Sequence, residues 1–203
     1  MKEIILATNN QNKVREMKQK LEPFNINVLS QKEAGINIDV EETGETFKDN
    51  SQIKAEAIFN LLKKPVIADD SGLCIDALDG APGVHSHRFA GEDASDLDRI
   101  NIVLDKLKDV PTDKRTARFK CCVCFIYENG EEHFFEDTAE GIIGLEPSGT
   151  NGFGFDPIFH YEGDIRSFAE YSPEEKNKVS HRGKAVAQFI KFISNLNDTH
   201  NNW

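Results

Sequence analysis

Asp69 and Asp70 stand side by side in VIADDSG, residues 66–72. Two neighbouring carboxylates repel each other unless a cation sits with them. Adjacent strand residues face opposite ways, so one of the pair aims into any given cleft. Such a carboxylate, opposite an acidic loop such as Glu41-Glu42, would suit octahedral Mg2+. Magnesium takes one or two carboxylates and completes its shell with water and substrate phosphate. Asp69-Asp70-Ser71-Gly72 also reads as a simple Asx-type turn.

Three other stretches carry chemistry. ATNNQNK, residues 7–13, is a Thr/Asn-rich turn that opens a helix. Side-chain donors, free backbone N–H groups and the positive helix end favour an anion such as phosphate, and Lys13 adds a full charge. The same residues serve a capped helix with a surface lysine, and the Walker pattern is absent. GTNGFGFDP, residues 149–157, lets backbone approach a ligand closely. Phe153 or Phe155 could stack there on a planar base, or both could be core residues under a flexible loop. EEKNKVSHRGKA, residues 174–185, gathers the donors Lys176, His181 and Arg182 near a helix start, where surface positions are the commoner reading. His85 and His87 have H-x-H spacing, read as loop packing. Cys121 and Cys124 form a C-x-x-C inside the apolar run CCVCFIY, read as buried strand cysteines because no second ligand pair is spaced for zinc.

These residues need elements to hold them. The pattern predicts a strand over Glu3–Ala7 and a helix from Lys13 to Leu21, with Val14, Met17 and Leu21 on one face. Asn9, Asn10 or Asn12 could cap it. A short strand at Asn27–Leu29 leads into the acidic segment IDVEETGETF. A helix follows over Phe47–Leu62, with Phe47, Ile53, Ala57, Ile58, Leu61 and Leu62 as its apolar side. Pro65 ends it and VIADD reads as a strand. Ala94–Lys108 reads as a helix, and residues 116–127 and 132–143 as two strands joined at Glu128-Asn129-Gly130. Ser172-Pro173-Glu174-Glu175 matches a capping box, and Ser180 a further cap for a helix through Leu196. Alternating strands and helices, then hairpins, predict a mixed α/β fold. The tail, residues 197–203, is polar.

Composition narrows the partners. In 203 residues there are 24 basic and 35 acidic side chains, a net charge of −11. So acidic a surface repels a phosphate backbone, which argues against a nucleic-acid partner. A small phosphorylated ligand then needs a local basic patch or a divalent metal. Hydrophobic residues at 38% and charged residues at 29% fit an ordinary globule. The apolar stretch Ile4–Ala7 is too short for a signal-peptide core or a membrane span. Reduced cysteines fit the cytoplasm.

Taken together, the motifs resemble the inosine triphosphatase family, pyrophosphatases that clear non-standard purine triphosphates from the nucleotide pool. ATNNQNK (7–13) looks like the family's opening phosphate loop, A-T-x-N-x-x-K. EETGETFKDN (41–50) matches its acidic segment, and ADDSGLCIDALDGAPGVHSHRFAG (68–91) its longest motif. GFGFDPIF (152–159) and EEKNKVSHRGKA (174–185) complete a match over nearly the whole chain. The departures are small: Asn9 stands where many members have Gly, and His85 and His87 replace commoner Tyr and Ala-type residues.

The resemblance implies an elongated two-lobed α/β fold with a long mixed sheet flanked by helices. It implies one domain over residues 1–196 with a cleft between its lobes, and a homodimer. The implied reaction cleaves ITP, dITP or XTP between the α and β phosphates, giving the monophosphate and pyrophosphate, with Mg2+. By position, Thr8, Asn9, Asn10, Gln11, Asn12 and Lys13 would hold the triphosphate. Glu42 and Asp70 would carry the metal, Asp70 also acting as general base, the role for which Asp69 is the alternative. Ser71 would touch substrate. Phe153, Gly154, Phe155, Asp156, Lys176, His181 and Arg182 would form the base pocket. Donors there suit the O6 acceptor of hypoxanthine and xanthine and are mismatched to the amino group of adenine, a difference of about 1–3 kcal/mol.

Two other classes compete. An all-α pyrophosphatase needs E-x-x-E followed by E-x-x-D; Glu42 and Glu45 could begin it, but no Glu lies between residues 57 and 91 to finish it. A non-catalytic nucleotide-binding module would not need the acidic set.

Overall fold

Three consecutive side chains of the first strand, Ile4, Ile5 and Leu6, are almost wholly buried. A strand covered on both faces wants such a continuous apolar run, and parallel neighbours impose that covering. In the computed structural model, which describes residues 2–91 and 93–199 and side chains through Asn195, this strand is β1 (Lys2–Leu6). It pairs in parallel with β2 (Ile26–Ser30) and with β3 (Val66–Ile75). The strands β4 (Thr116–Ile126), β5 (Glu132–Ile143) and β6 (Phe159–Tyr161) complete a six-stranded sheet in the order β2-β1-β3-β4-β5-β6, with β5 and β6 antiparallel. The helices are α1 (Gln11–Leu21), α2 (Phe47–Leu62), α3 (Asp96–Leu107), α4 (Pro173–Val179) and α5 (His181–Thr199). The expected α/β class with a mixed sheet is the one found.

The chain forms two compact units. Unit 1 takes residues up to Asp70, Cys122–Glu136 and the chain from Ala185; unit 2 takes Ser71–Cys121 and Asp137–Lys184. In unit 1, α2 packs Ala55 and Ile58 against Ile5, Ala7, Val66, Ala68, Cys124 and Ile126. Truncating a fully buried side chain such as Ile58 to alanine costs about 2–5 kcal/mol. Phe189 of α5 meets Phe125 at 5.0 Å and Phe135 at 5.8 Å between ring centroids.

In unit 2, Ile100, Val103 and Leu107 of α3 pack with Leu73, Ile75, Phe119, Phe159 and Phe168. Arg115 is buried and donates to the carbonyls of Leu107 (2.7 Å) and Val110 (2.9 Å), at and just past the end of α3, and of Gly144 (3.1 Å), just past β5. The Ser172 capping box starts α4 with Pro173 in its first turn, and Ser180 Oγ accepts from Gly183 N at the start of α5.

Several local expectations need correction. VIADDSGLCI is one ten-residue strand, so Asp69 and Asp70 lie inside β3 and not in a turn at its end. The buried side of α2 is Asn50, Ser51, Lys54, Ala55 and Ile58, whereas Leu61 is 56% exposed and Phe47, Ile53, Ala57 and Leu62 are half-buried. Polar residues take the inward face because each has a partner there: Lys54 pairs with Glu42, Asn50 accepts from Gly44 N, and Ser51 donates to the Lys48 carbonyl. Helix α1 begins at Gln11, two residues before Lys13, because Asn10 is its cap. Helix α5 runs three residues beyond Leu196; residues 200–203 lie outside the described residues. All four cysteines are buried and unbridged, as the strand reading expects.

Candidate active site

In unit 1 the alternation along β3 sends Asp69 toward α1 and Asp70 toward α2. Lys13 Nζ lies 3.1 Å from Asp69 Oδ2 and 3.3 Å from the Asp69 carbonyl. Lys54 Nζ lies 2.7 Å from Glu42 Oε1, 3.8 Å from Asp70 Oδ1 and 2.8 Å from the Asp69 carbonyl. Two lysines from two helices thus answer the adjacent carboxylates. The side chains of Lys54 and Asp70 are 11% and 9% exposed, so these are buried charges. Lys54 was not among the candidates. Its signal was its place four residues from both Asn50 and Ile58, on one helical face.

The loop that brings Glu42 is tied down at several points. Gln31 Nε2 and Asn9 Nδ2 both donate to the Ile38 carbonyl, at 2.8 and 3.2 Å. Gly44 N donates to Asn50 Oδ1 at 2.8 Å. A Cβ at position 44 would fall 2.5 Å from Asp49 Cβ, so only glycine allows this approach.

Burial pushes the Asp70 carboxyl above its usual range, and Glu42 adds to the rise; Lys54, Lys13 and a hydrogen bond from Asn50 pull back without cancelling it. Burial alone would push the Lys54 ammonium down. The carboxylates of Asp70, Glu42 and Asp69 outweigh it and hold its pKa above the ordinary value.

Glu42 and Asp70 both face one ammonium, so the pair already shares a cationic partner. These are hard oxygen donors, and among the described residues no group of three or more His, Cys, Asp or Glu forms a metal cage. A pair of carboxylates with the rest of the shell left to water and phosphate suits magnesium, not zinc.

At the start of α1, Asn10 Oδ1 accepts from Asn12 N (3.0 Å) and Lys13 N (3.4 Å), and Thr8 Oγ1 accepts from Asn10 N (3.1 Å). Asn10 is therefore the helix cap. Asn12 Oδ1 takes Arg15, and Gln11 is exposed in the first turn.

The second group lies in unit 2. Arg182 and His181 are buried, against the surface reading. His181 stacks on Phe119 at 4.7 Å, and Arg182 Nη2 donates to Ser71 Oγ at 2.9 Å. Lys176 Nζ pairs with Asp156 Oδ2 at 2.5 Å, and the same oxygen accepts from Phe153 N at 2.9 Å. The half-buried Phe153 ring has Lys176 Nζ 5.2 Å and the Arg182 guanidinium 5.5 Å from its centroid. Phe155 does not join it: its ring is packed in the unit 2 core. Phe153 is thus the ring presented beside Lys176 and Arg182. Gly154 brings its amide N–H to Asp96, a residue the motifs did not mark. His85 and His87 are exposed in the 3-10 turn Gly83–Arg88.

Fold and site together define an α/β protein whose polar chemistry rests on charge-paired lysines and carboxylates around one strand of unit 1 and, in unit 2, on an aromatic ring flanked by two cations. The chain belongs to the Ham1 family, whose model matches residues 4–192. It is 48% identical over 193 residues to the dITP/XTP pyrophosphatase of Halalkalibacterium halodurans, covering 95% of this chain and 100% of that one. It is similar to the solved Ham1 protein of Coxiella burnetii at 42% identity and TM-score 0.87, over 96% of this chain and 100% of that one. The Ham1 protein of Staphylococcus aureus matches at 40% identity and TM-score 0.85, over 96% and 99%. Among the described residues no helix is long and apolar enough to cross a membrane.

Proposed function

We propose that this protein hydrolyses non-standard purine nucleoside triphosphates (ITP, dITP and XTP) to the monophosphate and pyrophosphate. The carrying observation is the buried Asp70–Lys54–Glu42 cluster beside Lys13, in a chain whose curated relative is named dITP/XTP pyrophosphatase. Asp70 and Glu42 would hold Mg2+, which when bound supplies positive charge against the phosphate oxygens. Thr8 to Lys13, with Lys54, face the phosphates with donors and positive charge. Asp70 takes the proton of the attacking water on a carboxylate oxygen. Beside a divalent cation that carboxylate is held ionised and can orient the attacking water. Leaving as pyrophosphate, the β and γ phosphates need their growing charge offset, and Lys13 is the protein group at the helix start for that task.

Lys176, Arg182 and His181 donate to the base, and Phe153 stacks on it. Donors facing O6 favour hypoxanthine and xanthine and leave a buried group unpaired with adenine. Guanine shares O6, so its rejection rests on the 2-amino group meeting Lys176 or Arg182. The proposal takes residues 1–196 as one functional domain, working as a cytoplasmic homodimer with no nucleic-acid partner; the family resemblance and the acidic charge support these parts.

The test is a panel of ITP, XTP, dITP, GTP and ATP with Mg2+, pyrophosphate and orthophosphate being measured separately, with Asp70→Asn alongside. Pyrophosphate from ITP, XTP and dITP, lost in the variant, is the expected result. Orthophosphate as product, or equal turnover of ATP, would refute the cleavage site or the base pocket.

A further inference from the structure

The loop over residues 149–157 has three glycines in the left-handed region: Gly149, Gly152 and Gly154, at φ +80°, +74° and +64°. Such a segment has much freedom to lose, so whatever presents the Phe153 ring must anchor the backbone from outside. Upstream, Thr150 N and Asn151 N donate to the Ala169 carbonyl at 3.1 and 2.9 Å, and Asn151 Nδ2 to the Tyr171 carbonyl at 2.9 Å. Phe153 N is held by Asp156, three residues on in the same loop. The anchor on the next amide comes from another element. Gly154 N donates to Asp96 Oδ2 at 2.7 Å, across 58 residues of sequence.

Asp96 is itself oriented. Its other oxygen, Oδ1, accepts from Arg99 Nη1 at 3.1 Å, one turn along α3. Arg99 is buried, and its Nε donates to the His87 carbonyl at 2.8 Å. A carboxylate with one oxygen fixed by a buried guanidinium and the other on a backbone amide is a charge-assisted tether of defined direction.

We propose that Asp96 is a positioning residue for base recognition: through the Gly154 amide it sets the place of the Phe153 ring beside Lys176 and Arg182. This rests on the reading of Phe153 as the stacking ring. In that role Asp96 acts through the loop, so its loss falls on binding of the base and not on bond cleavage.

The experiment compares wild type with Asp96→Ala, Asp96→Asn and Asp98→Ala. Asp98 closes the capping box of the same helix with Ser95 and has no bond to the loop, so it reports on α3 alone. The first readout is hydrogen exchange, which needs no turnover. Asp96→Ala speeds exchange of the Phe153–Gly154 amides about tenfold, and Asp98→Ala leaves them unchanged. The second is steady-state hydrolysis of ITP. KM rises about tenfold in Asp96→Ala with kcat within about twofold, and Asp96→Asn, which keeps an oxygen acceptor, recovers most of the loss. Unchanged loop exchange overturns the tether. Faster exchange with an unchanged KM, or a fall confined to kcat, overturns the positioning role. A wild-type protein inert toward every purine triphosphate overturns the underlying functional reading instead, while the exchange data still decide the tether.

Discussion

Replacing Lys54 by methionine keeps an unbranched side chain and removes the ammonium that Glu42, Asp70 and the Asp69 carbonyl share. Removing one partner of a buried ion pair costs about 3–5 kcal/mol, because the other partner is left desolvated and unpaired. Glu42 is 27% exposed and recovers some hydration, so the lower end applies, about 3 kcal/mol near pH 8. With a urea dependence of about 2 kcal/mol per molar, the unfolding midpoint falls by about 1.5 M. The pH dependence follows from the shifts. In wild type the Lys54 pKa lies above 10.5, so the pair is intact at pH 8. In the variant the carboxylates lose their cation, and the Asp70 pKa, already raised above 3.8, rises further. A raised acid is penalised when ionised, so the penalty is full above the raised pKa and vanishes below the ordinary one. The deficit against wild type therefore shrinks as the pH falls from about 8 toward 4. Urea titrations across that range measure it. A loss under about 1 kcal/mol at pH 8, or one that does not change with pH, would refute the account of a buried, mutually dependent cluster.

Arg182→Ala removes the donor to Ser71 and the cation beside Phe153. It should narrow the ratio of kcat/KM for ITP over GTP by about five- to tenfold, and an unchanged ratio would take Arg182 out of base discrimination. Burial pushes the Cys122 thiol up to about 11 and the Cys124 thiol further. Iodoacetamide at about pH 8 should leave both unmodified in the folded protein and label both in guanidinium; rapid labelling of the native state would contradict their burial. Hydrogen bonds from Arg118, then Thr116, hold the Asp76 carboxyl at about 2. A lowered acid stabilises above its ordinary pKa of 3.8, and the gain is lost as the pH falls toward 2. The Asp76→Asn variant should thus show a flatter decline of urea midpoint between about pH 4 and 2 than wild type does.

Much of this was legible locally. The capping box at Ser172, the hairpin at residues 128–130 and the exact span of α2 follow from short-range signals that tertiary context leaves alone. What failed was decided by distant partners. Asp-Asp-Ser-Gly carries the chemistry of a turn. It runs as strand because Lys13 and Lys54, from remote helices, take up its charge. The inward face of α2 was read from its apolar residues, but Asn50 and Lys54 hold that face by bonding to Gly44 and Glu42. Phe153 and Phe155 are identical in type and two residues apart; only packing sends Phe155 into the core. Asp96 carries no local mark in the sequence, because no short-range pattern reports a bond to a loop 58 residues away.

The opposed faces of Asp69 and Asp70 also constrain how this sequence can drift. A single inserted or deleted residue in Val66–Ala68 would reverse the parity of everything after it in β3. Asp70's carboxylate would then point toward the side of Lys13, and Asp69's toward the side of Lys54. Exposed turns such as Glu128-Asn129-Gly130 can absorb a change in length without touching the cluster. Strand β3 has no such latitude: an odd change reverses the faces and an even one slides Asp70 along the strand away from Lys54, so in lineages carrying this chemistry the count of residues from Val66 to Asp70 should stay frozen.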